Sequence, residues 1–159
     1  DNWFLSFIDS LFKQYEFTSL MKPQDIIEKD YAICNQQSIV FQDVIKDYGF
    51  DYGSLRFYIP KFLHFASVVK VDGKWYFFDS NGEPKYDRRD SNVYDSLLLG
   101  DLSTLKKIYY QSILKKNVET LHTKDFKEGM IILSDINKFP ASKGVFIQNI
   151  SFIISWLIK

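Results

Sequence analysis

The fold is decided by one stretch, His64-Phe-Ala-Ser-Val-Val-Lys-Val-Asp-Gly-Lys-Trp-Tyr-Phe-Phe-Asp79. Two runs rich in Val, Phe, Tyr and Trp, at residues 64–71 and 74–79, flank the dipeptide Asp72-Gly73. This dipeptide favours the type I′ turn of a tight β-hairpin, because both central residues of that turn need positive φ. The stretch therefore predicts two antiparallel strands joined by a two-residue turn.

The register of this hairpin brings polar side chains together at its open end. With a two-residue turn, Val71 pairs with Lys74. Counting back along both strands places His64 opposite Asn81, with Asp79 on the diagonal and on the same face of the sheet. Diagonal neighbours on one face are close enough for a carboxylate to bond an imidazole N–H, and Asn81 is an alternative partner for the ring.

Upstream of the hairpin, residues 35–48 have helical periodicity, with Cys34 at or just before the first turn and Gly49 where a C-terminal cap belongs. Further elements are predicted from the same patterns: an amphipathic helix over 2–17, a short helix and loop within 24–33, a strand over 54–59 ended by Pro60, an exposed loop over 85–95, a helix over 101–116 capped by Asp101 or Ser103, and a short strand at 130–133.

Helices come first, then strands, then mixed elements, which indicates an α+β fold. We expect a single domain over 1–159, with a core at about 24–82 and additional helix and strand elements over 85–159.

Composition excludes several classes of function. The 159 residues carry twenty basic and twenty acidic side chains, so no excess positive charge supports nucleic-acid binding. A single cysteine excludes an intrachain disulfide and every multi-cysteine metal site, and two histidines leave little material for a transition-metal centre. We therefore expect neither a metal nor a cofactor.

The longest apolar stretch, residues 145–158, is shorter than the roughly 20 residues that a membrane-spanning helix needs, and polar residues interrupt it. A core helix or a pair of buried strands is the favoured interpretation, and membrane association through this stretch is the less favoured alternative. The chain starts at Asp1 without an initiator Met, so we expect a processed or trimmed product; removal of a signal peptide stays open, and the compartment is not predicted.

Three residues together suggest nucleophilic chemistry. A thiol at a helix N-terminus feels the positive end of the helix dipole, which favours the nucleophilic thiolate form of Cys34. His64 is placed to act as a base and then as an acid, and Asp79 to fix the tautomer of the imidazole. Each residue alone has a structural interpretation: a buried small hydrophobe, a structural histidine and a turn-forming aspartate. Their joint placement is what favours a catalytic role.

The segment from His64 to Asp79 resembles the His-to-Asp hairpin of the transglutaminase-like superfamily, a branch of the papain-like cysteine enzymes. In that pattern a His begins a strand, a turn of the Asp72-Gly73-Lys74-Trp75 kind follows, and an Asp ends the next strand. The family also has its nucleophilic Cys at the head of a helix that closes on Gly, as Cys34 and Gly49 are arranged here. The resemblance covers about residues 30–82, and the order Cys, His, Asp agrees with it.

Several positions depart from the family pattern. Ala66 stands where Trp is frequent, and Ile33 where a small residue often precedes the Cys. Papain-type enzymes supply an oxyanion donor from a Gln upstream of the Cys, but the corresponding position here is Glu28, which cannot donate when ionised. Gln24 and Tyr31 are other candidates, and the backbone N–H of Cys34 is the preferred donor.

The resemblance implies a papain-like core in which the helix bearing the Cys packs on an antiparallel sheet. It also implies a cysteine-dependent acyl-transfer enzyme that acts on amide or isopeptide bonds of a protein or peptide through a Cys34–His64–Asp79 triad. Hydrolysis, as in a peptidase or deamidase, is favoured over crosslinking, and the sequence leaves the acyl acceptor undecided. The alternative is a catalytically inactive domain of this kind that serves as a protein-interaction module.

Overall fold

A three-stranded antiparallel sheet in the order β1–β2–β3 positions the rest of the molecule: β1 is Asp51–Ile59, β2 is Phe62–Val71 and β3 is Lys74–Phe78. The computed structural model describes residues 21–59, 62–87, 89–129, 136–138 and 142–157. Val71 pairs with Lys74, and the turn residues Asp72 and Gly73 have φ of 49° and 78°. The predicted hairpin and its register are therefore confirmed.

Seven helices accompany the sheet in the described residues: α1 Pro23–Ile27, α2 Cys34–Asp47, α3 Asn92–Leu98, α4 Leu102–Ile108, α5 Lys115–Glu119, α6 Thr123–Glu128 and α7 Ser142–Leu157. Helix α2 begins at Cys34 because Ile33 is extended and its N–H donates to Gln36 Oε1 at 3.1 Å. Its C-terminal end is followed by Gly49 with φ of 76°, as the sequence predicts. The fold is thus α+β, with a small antiparallel sheet and helices around it.

The two faces of the sheet contact different helices. Successive residues of a strand point to opposite faces, so Leu55 and Ala66 share one face, while Ser54 and Ser67 share the other. The first face packs against α3 to α6 in the main hydrophobic core, which includes Leu97, Leu105, Ile108, Val118 and Phe126 from the helices. The second face contacts α2.

A buried glutamine fastens α2 to this second face. Gln42 is fully buried, and its Nε2 donates to Ser67 Oγ at 2.9 Å, to Ser54 Oγ at 3.1 Å and to Gly53 O at 3.3 Å. A buried amide must find such partners, because leaving one unsatisfied costs about 1–3 kcal/mol. The network fixes both the rotation and the height of α2 above β1 and β2, and it thereby fixes where Cys34 lies.

Several predicted boundaries need correction. The first strand begins at Asp51 rather than at residue 54, and His64 is the third residue of β2 because that strand starts at Phe62. The predicted exposed loop over 85–95 ends early, since α3 starts at Asn92 and buries Val93 and Tyr94. The predictions over 2–17 and 130–133 lie outside the described residues.

The prediction of one helix over 101–116 is wrong, because α4 ends at Ile108. The break is held by Ser112, whose hydroxyl donates to the carbonyl oxygen of Gly82 and accepts from Leu114 N–H at 3.1 Å. A side chain that bonds the backbone in this way competes with helical hydrogen bonds. The N-terminal cap is as expected, with Asp101 accepting from the Ser103 N–H at 2.9 Å.

The C-terminal apolar stretch forms the single helix α7 and not a pair of strands. One side of it is exposed, as Phe146, Ile153 and Trp156 show, whereas Gln148 and Ser151 are buried. The core helix expected here therefore shows much of its apolar surface to solvent. Among the described residues, every helix is too short or too polar to span a bilayer.

Candidate active site

Cys34 is the first residue of α2, and the residue is partly exposed. Three groups favour ionisation of its thiol: the His64 side chain and the backbone N–H groups of Phe65 and Asn35. Burial by itself raises the pKa of the thiol, but the bond with His64 and the two N–H donors outweigh it, so the pKa of Cys34 lies below the usual 9.0. The surroundings therefore favour the thiolate.

His64 connects Cys34 to a buried carboxylate. The ring is 3% exposed, and its Nε2 lies 2.7 Å from Asp79 Oδ2. Because Nε2 is held by Asp79, Nδ1 is the nitrogen left to face the sulfur of Cys34. The rings of Phe62 and Tyr109, with centroids 5.5 and 6.5 Å from that of the imidazole, limit how it can turn.

The protonated form of His64 is stabilised. Burial lowers the pKa of the imidazole, but the hydrogen bonds and the charges of Asp79 and Cys34 more than reverse this, and the pKa is raised to about 9. The two shifts favour the same arrangement, a thiolate on Cys34 beside an imidazolium on His64.

Asp79 accepts hydrogen bonds from four groups. Its Oδ2 takes those of His64 Nε2 and the Tyr109 hydroxyl, and its Oδ1 takes those of the Asn81 and Gly82 N–H groups, each at 2.9 Å. Burial raises the pKa of this carboxyl, but the bond with His64 and the other donors lower it by more. The net effect is a pKa below the ordinary value. A carboxylate that is held on all sides can orient the imidazole without itself taking the proton.

Gly82 is required beside this carboxylate for reasons of space. A Cβ at this position would meet Asp79 Oδ2, and it would lie 2.5 Å from Tyr109 Cε1 and 2.8 Å from Leu114 Cδ1. No side chain fits there without moving the groups that hold Asp79.

The structure pairs His64 with Asp79 at hydrogen-bond distance and places Cys34 near enough to His64 for each to shift the pKa of the other. Asn81, the alternative partner for the ring, instead donates its backbone N–H to Asp79. The two side chains considered as oxyanion donors, Gln24 and Tyr31, are both exposed. The N–H of Cys34 lies in the first turn of α2, where N–H groups have no intrahelical acceptor.

Two contributors were not anticipated from the sequence. Tyr109 falls within the helix predicted over 101–116, and the sequence gives no sign that its hydroxyl bonds Asp79. A buried tyrosine needs a partner for its hydroxyl, but the burial of Tyr109 is known only from the structure. The N–H of Phe65 lowers the pKa of the Cys34 thiol, and it is available because β3 pairs only with Ser67–Val71 and leaves the start of β2 uncovered on that side. Within the described residues, no group of three or more His, Cys, Asp or Glu could hold a metal ion.

Comparison with known proteins yields one short match. Residues 69–83 match a family model described as a putative cell wall binding repeat. The match spans the turn of the β2–β3 hairpin and extends past Asp79. No curated protein and no solved structure matches the chain.

Proposed function

We propose that this chain is a cysteine-dependent acyl-transfer enzyme with a papain-like, transglutaminase-like core, acting on amide or isopeptide bonds of a protein or peptide. The observation that carries the proposal is the buried His64–Asp79 pair, with 2.7 Å between His64 Nε2 and Asp79 Oδ2, beside a thiol whose pKa is lowered by His64. Structural ion pairs also perturb pKa values, but a partly exposed thiol whose ionisation is favoured by a neighbouring imidazole is the arrangement that nucleophilic catalysis needs.

In the proposed reaction, the thiolate of Cys34 attacks the carbonyl carbon of the amide. The carbonyl oxygen becomes an oxyanion near the N-terminus of α2, where the N–H of Cys34 donates to it. His64 gives its proton to the leaving nitrogen, the C–N bond breaks, and an amine departs from a thioester on Cys34.

The second half of the reaction regenerates the thiolate. His64, now neutral, takes a proton from water, and the resulting hydroxide attacks the thioester carbon. The C–S bond breaks and releases a carboxylic acid. An amine in place of water would give a new amide, and we propose hydrolysis because Cys34 is partly exposed and water can reach the thioester.

The test uses the fact that Cys34 is the one cysteine of the chain, so alkylation by iodoacetamide reports on it alone. A free thiol is only a few per cent ionised at pH 7, so we expect Cys34 to react on the order of tenfold faster than free cysteine at that pH. Substituting His64→Ala should remove most of the acceleration, whereas His122→Ala, at the other and exposed histidine, should leave it unchanged. Alkylation no faster than that of free cysteine would refute the proposal.

A non-catalytic interaction module is the second candidate, and the match at residues 69–83 favours it. Some aromatic side chains of this hairpin already pack inside the protein and are not free to bind a partner. The ring centroids of Trp75 and Tyr94 are 6.3 Å apart, and Phe77 is fully buried. Slow alkylation together with co-sedimentation of the protein with cell walls would favour this candidate over the enzyme.

A further inference from the structure

A groove of about 530 Å³ runs along helix α2 beside the candidate nucleophile. Gln37 and Phe41 line it, and they follow Cys34 by three and seven residues, so all three lie on the same side of the helix. Ser80, directly after Asp79, lines the groove as well. The groove is therefore lined by residues that neighbour the proposed nucleophile and carboxylate along the chain, and it lies beside the proposed catalytic site.

The lining of this groove is mostly apolar. Val40 and Phe41 of α2, Ile26 and Ile27 of α1, and Ala32 before Cys34 contribute its apolar side chains. The Ala32 segment is held in place by its carbonyl oxygen, which accepts from Gln37 Nε2 at 3.0 Å. The groove is thus a preformed feature whose sides are fixed by secondary structure.

The charges at the rim do not select a charged ligand. Lys29 and Asp30 both line the groove, and their opposite charges leave it neutral. Ile27 is 66% exposed and Tyr31 is 83% exposed, so the rim also presents apolar surface to water. Covering such surface with an apolar group is favourable, because the free energy gained rises with the apolar area removed from water.

We propose that this groove binds a bulky aliphatic or aromatic side chain of a peptide substrate, next to the bond that Cys34 attacks. The inference rests on the proposed function, since that reaction is what brings a peptide to Cys34. The volume suits one large side chain together with its adjoining backbone. The site would therefore select peptides by an apolar residue close to the scissile bond.

The test compares two peptidyl vinyl sulfones that differ only in having Phe or Gly at the residue before the electrophile. Both react with a thiolate by addition, and iodoacetamide serves as a reference that is too small to need the groove. We expect the Phe probe to react about tenfold faster than the Gly probe, as burial of a large side chain predicts. Ile27→Glu should reduce this ratio to near one without changing the iodoacetamide rate, and Ile27→Met should retain the ratio.

Leu99→Glu is the matched control, because Leu99 is 81% exposed and lies at the end of α3, outside the groove. This variant should keep the wild-type ratio. Fast alkylation by iodoacetamide with equal rates for the two probes would overturn the groove proposal and leave the nucleophile intact. Slow alkylation by iodoacetamide would refute the catalytic proposal and the groove proposal together.

Discussion

At the scale of single residues, the notable property is that the titrations of Cys34 and His64 act on stability in opposite directions. In the folded protein the pKa of Cys34 is lowered and that of His64 is raised to about 9, whereas in the unfolded chain both return to ordinary values. As the pH rises above about 6.5, the raised pKa of His64 lowers the unfolding free energy, whereas the lowered pKa of Cys34 raises it until the ordinary thiol pKa is reached. The two contributions therefore offset each other in the wild type.

Removing the thiol should reveal how His64 by itself makes the unfolding free energy depend on pH. A raised imidazole pKa gives stability that is complete below the unfolded pKa of about 6.5 and is lost as pH rises toward the folded pKa. We therefore expect the unfolding free energy of Cys34→Ala to fall as pH rises above 6.5, by up to about 1.4 kcal/mol per pH unit, while the wild type stays flatter. Urea denaturation at several pH values measures both.

The control for this prediction is the double variant Cys34→Ala/His64→Gln, which lacks both titrating groups and should lose the extra slope. Parallel curves for the wild type and for Cys34→Ala would mean that the titration of Cys34 does not offset that of His64.

At the scale of elements, the turn that follows β3 does more than reverse the chain. Asp79 ends the strand, its carboxylate accepts from the N–H groups two and three residues on, and Gly82 leaves the space that the Tyr109 ring occupies. The same carboxylate thus closes its own turn and orients His64. Such a dual use makes the turn intolerant of any added side chain.

We expect Gly82→Ala to destabilise the protein by more than about 2 kcal/mol, because the added methyl group overpacks a buried site. The substitution should also slow alkylation of Cys34, since Asp79 must move. Gly73→Ala is the matched control: its φ of 78° strains alanine, but nothing lies within 4 Å, so it should cost about 1 kcal/mol and leave Cys34 reactive. Similar alkylation rates in the two variants would argue against this account of Gly82.

What the sequence predicts well is local in origin. The Asp72-Gly73 turn, the register of the hairpin and the Gly49 end of α2 all depend on neighbouring residues, and they are confirmed. The interruption of the helix after Ile108 depends on contact between Ser112 and Gly82, thirty residues apart, which no local pattern reveals. For the same reason, no local pattern determines how near Cys34 lies to His64; the sequence predicts it from the chemistry of the three residues together and from the resemblance to a family.

At the scale of the whole molecule, Tyr109 joins the helices after residue 85 to the candidate site. It is fully buried, and its hydroxyl donates to Asp79, which lies thirty residues earlier. The second half of the chain is therefore part of the apparatus that orients His64 and does more than cover the sheet.

We expect Tyr109→Phe to lower the unfolding free energy by about 1–3 kcal/mol, because a buried carboxylate loses a donor. It should also slow alkylation of Cys34, because the carboxylate that orients His64 is held less firmly. Tyr94→Phe is the control, since Tyr94 is 4% exposed but packs near Trp75 and away from Asp79. Denaturation and iodoacetamide kinetics on both variants make the comparison, and equal effects would contradict a specific role for Tyr109.

The late position of Tyr109 has a consequence for the newborn chain. A ribosome makes the protein from its N-terminus, so Cys34, His64 and Asp79 all leave the exit tunnel before Tyr109, whose hydroxyl holds the Asp79 carboxylate. We expect the Cys34 thiol of the nascent chain to stay weakly reactive until the segment with Tyr109 has been translated and has folded. The ribosome and its associated proteins would then be exposed to the reactive thiol only late in synthesis.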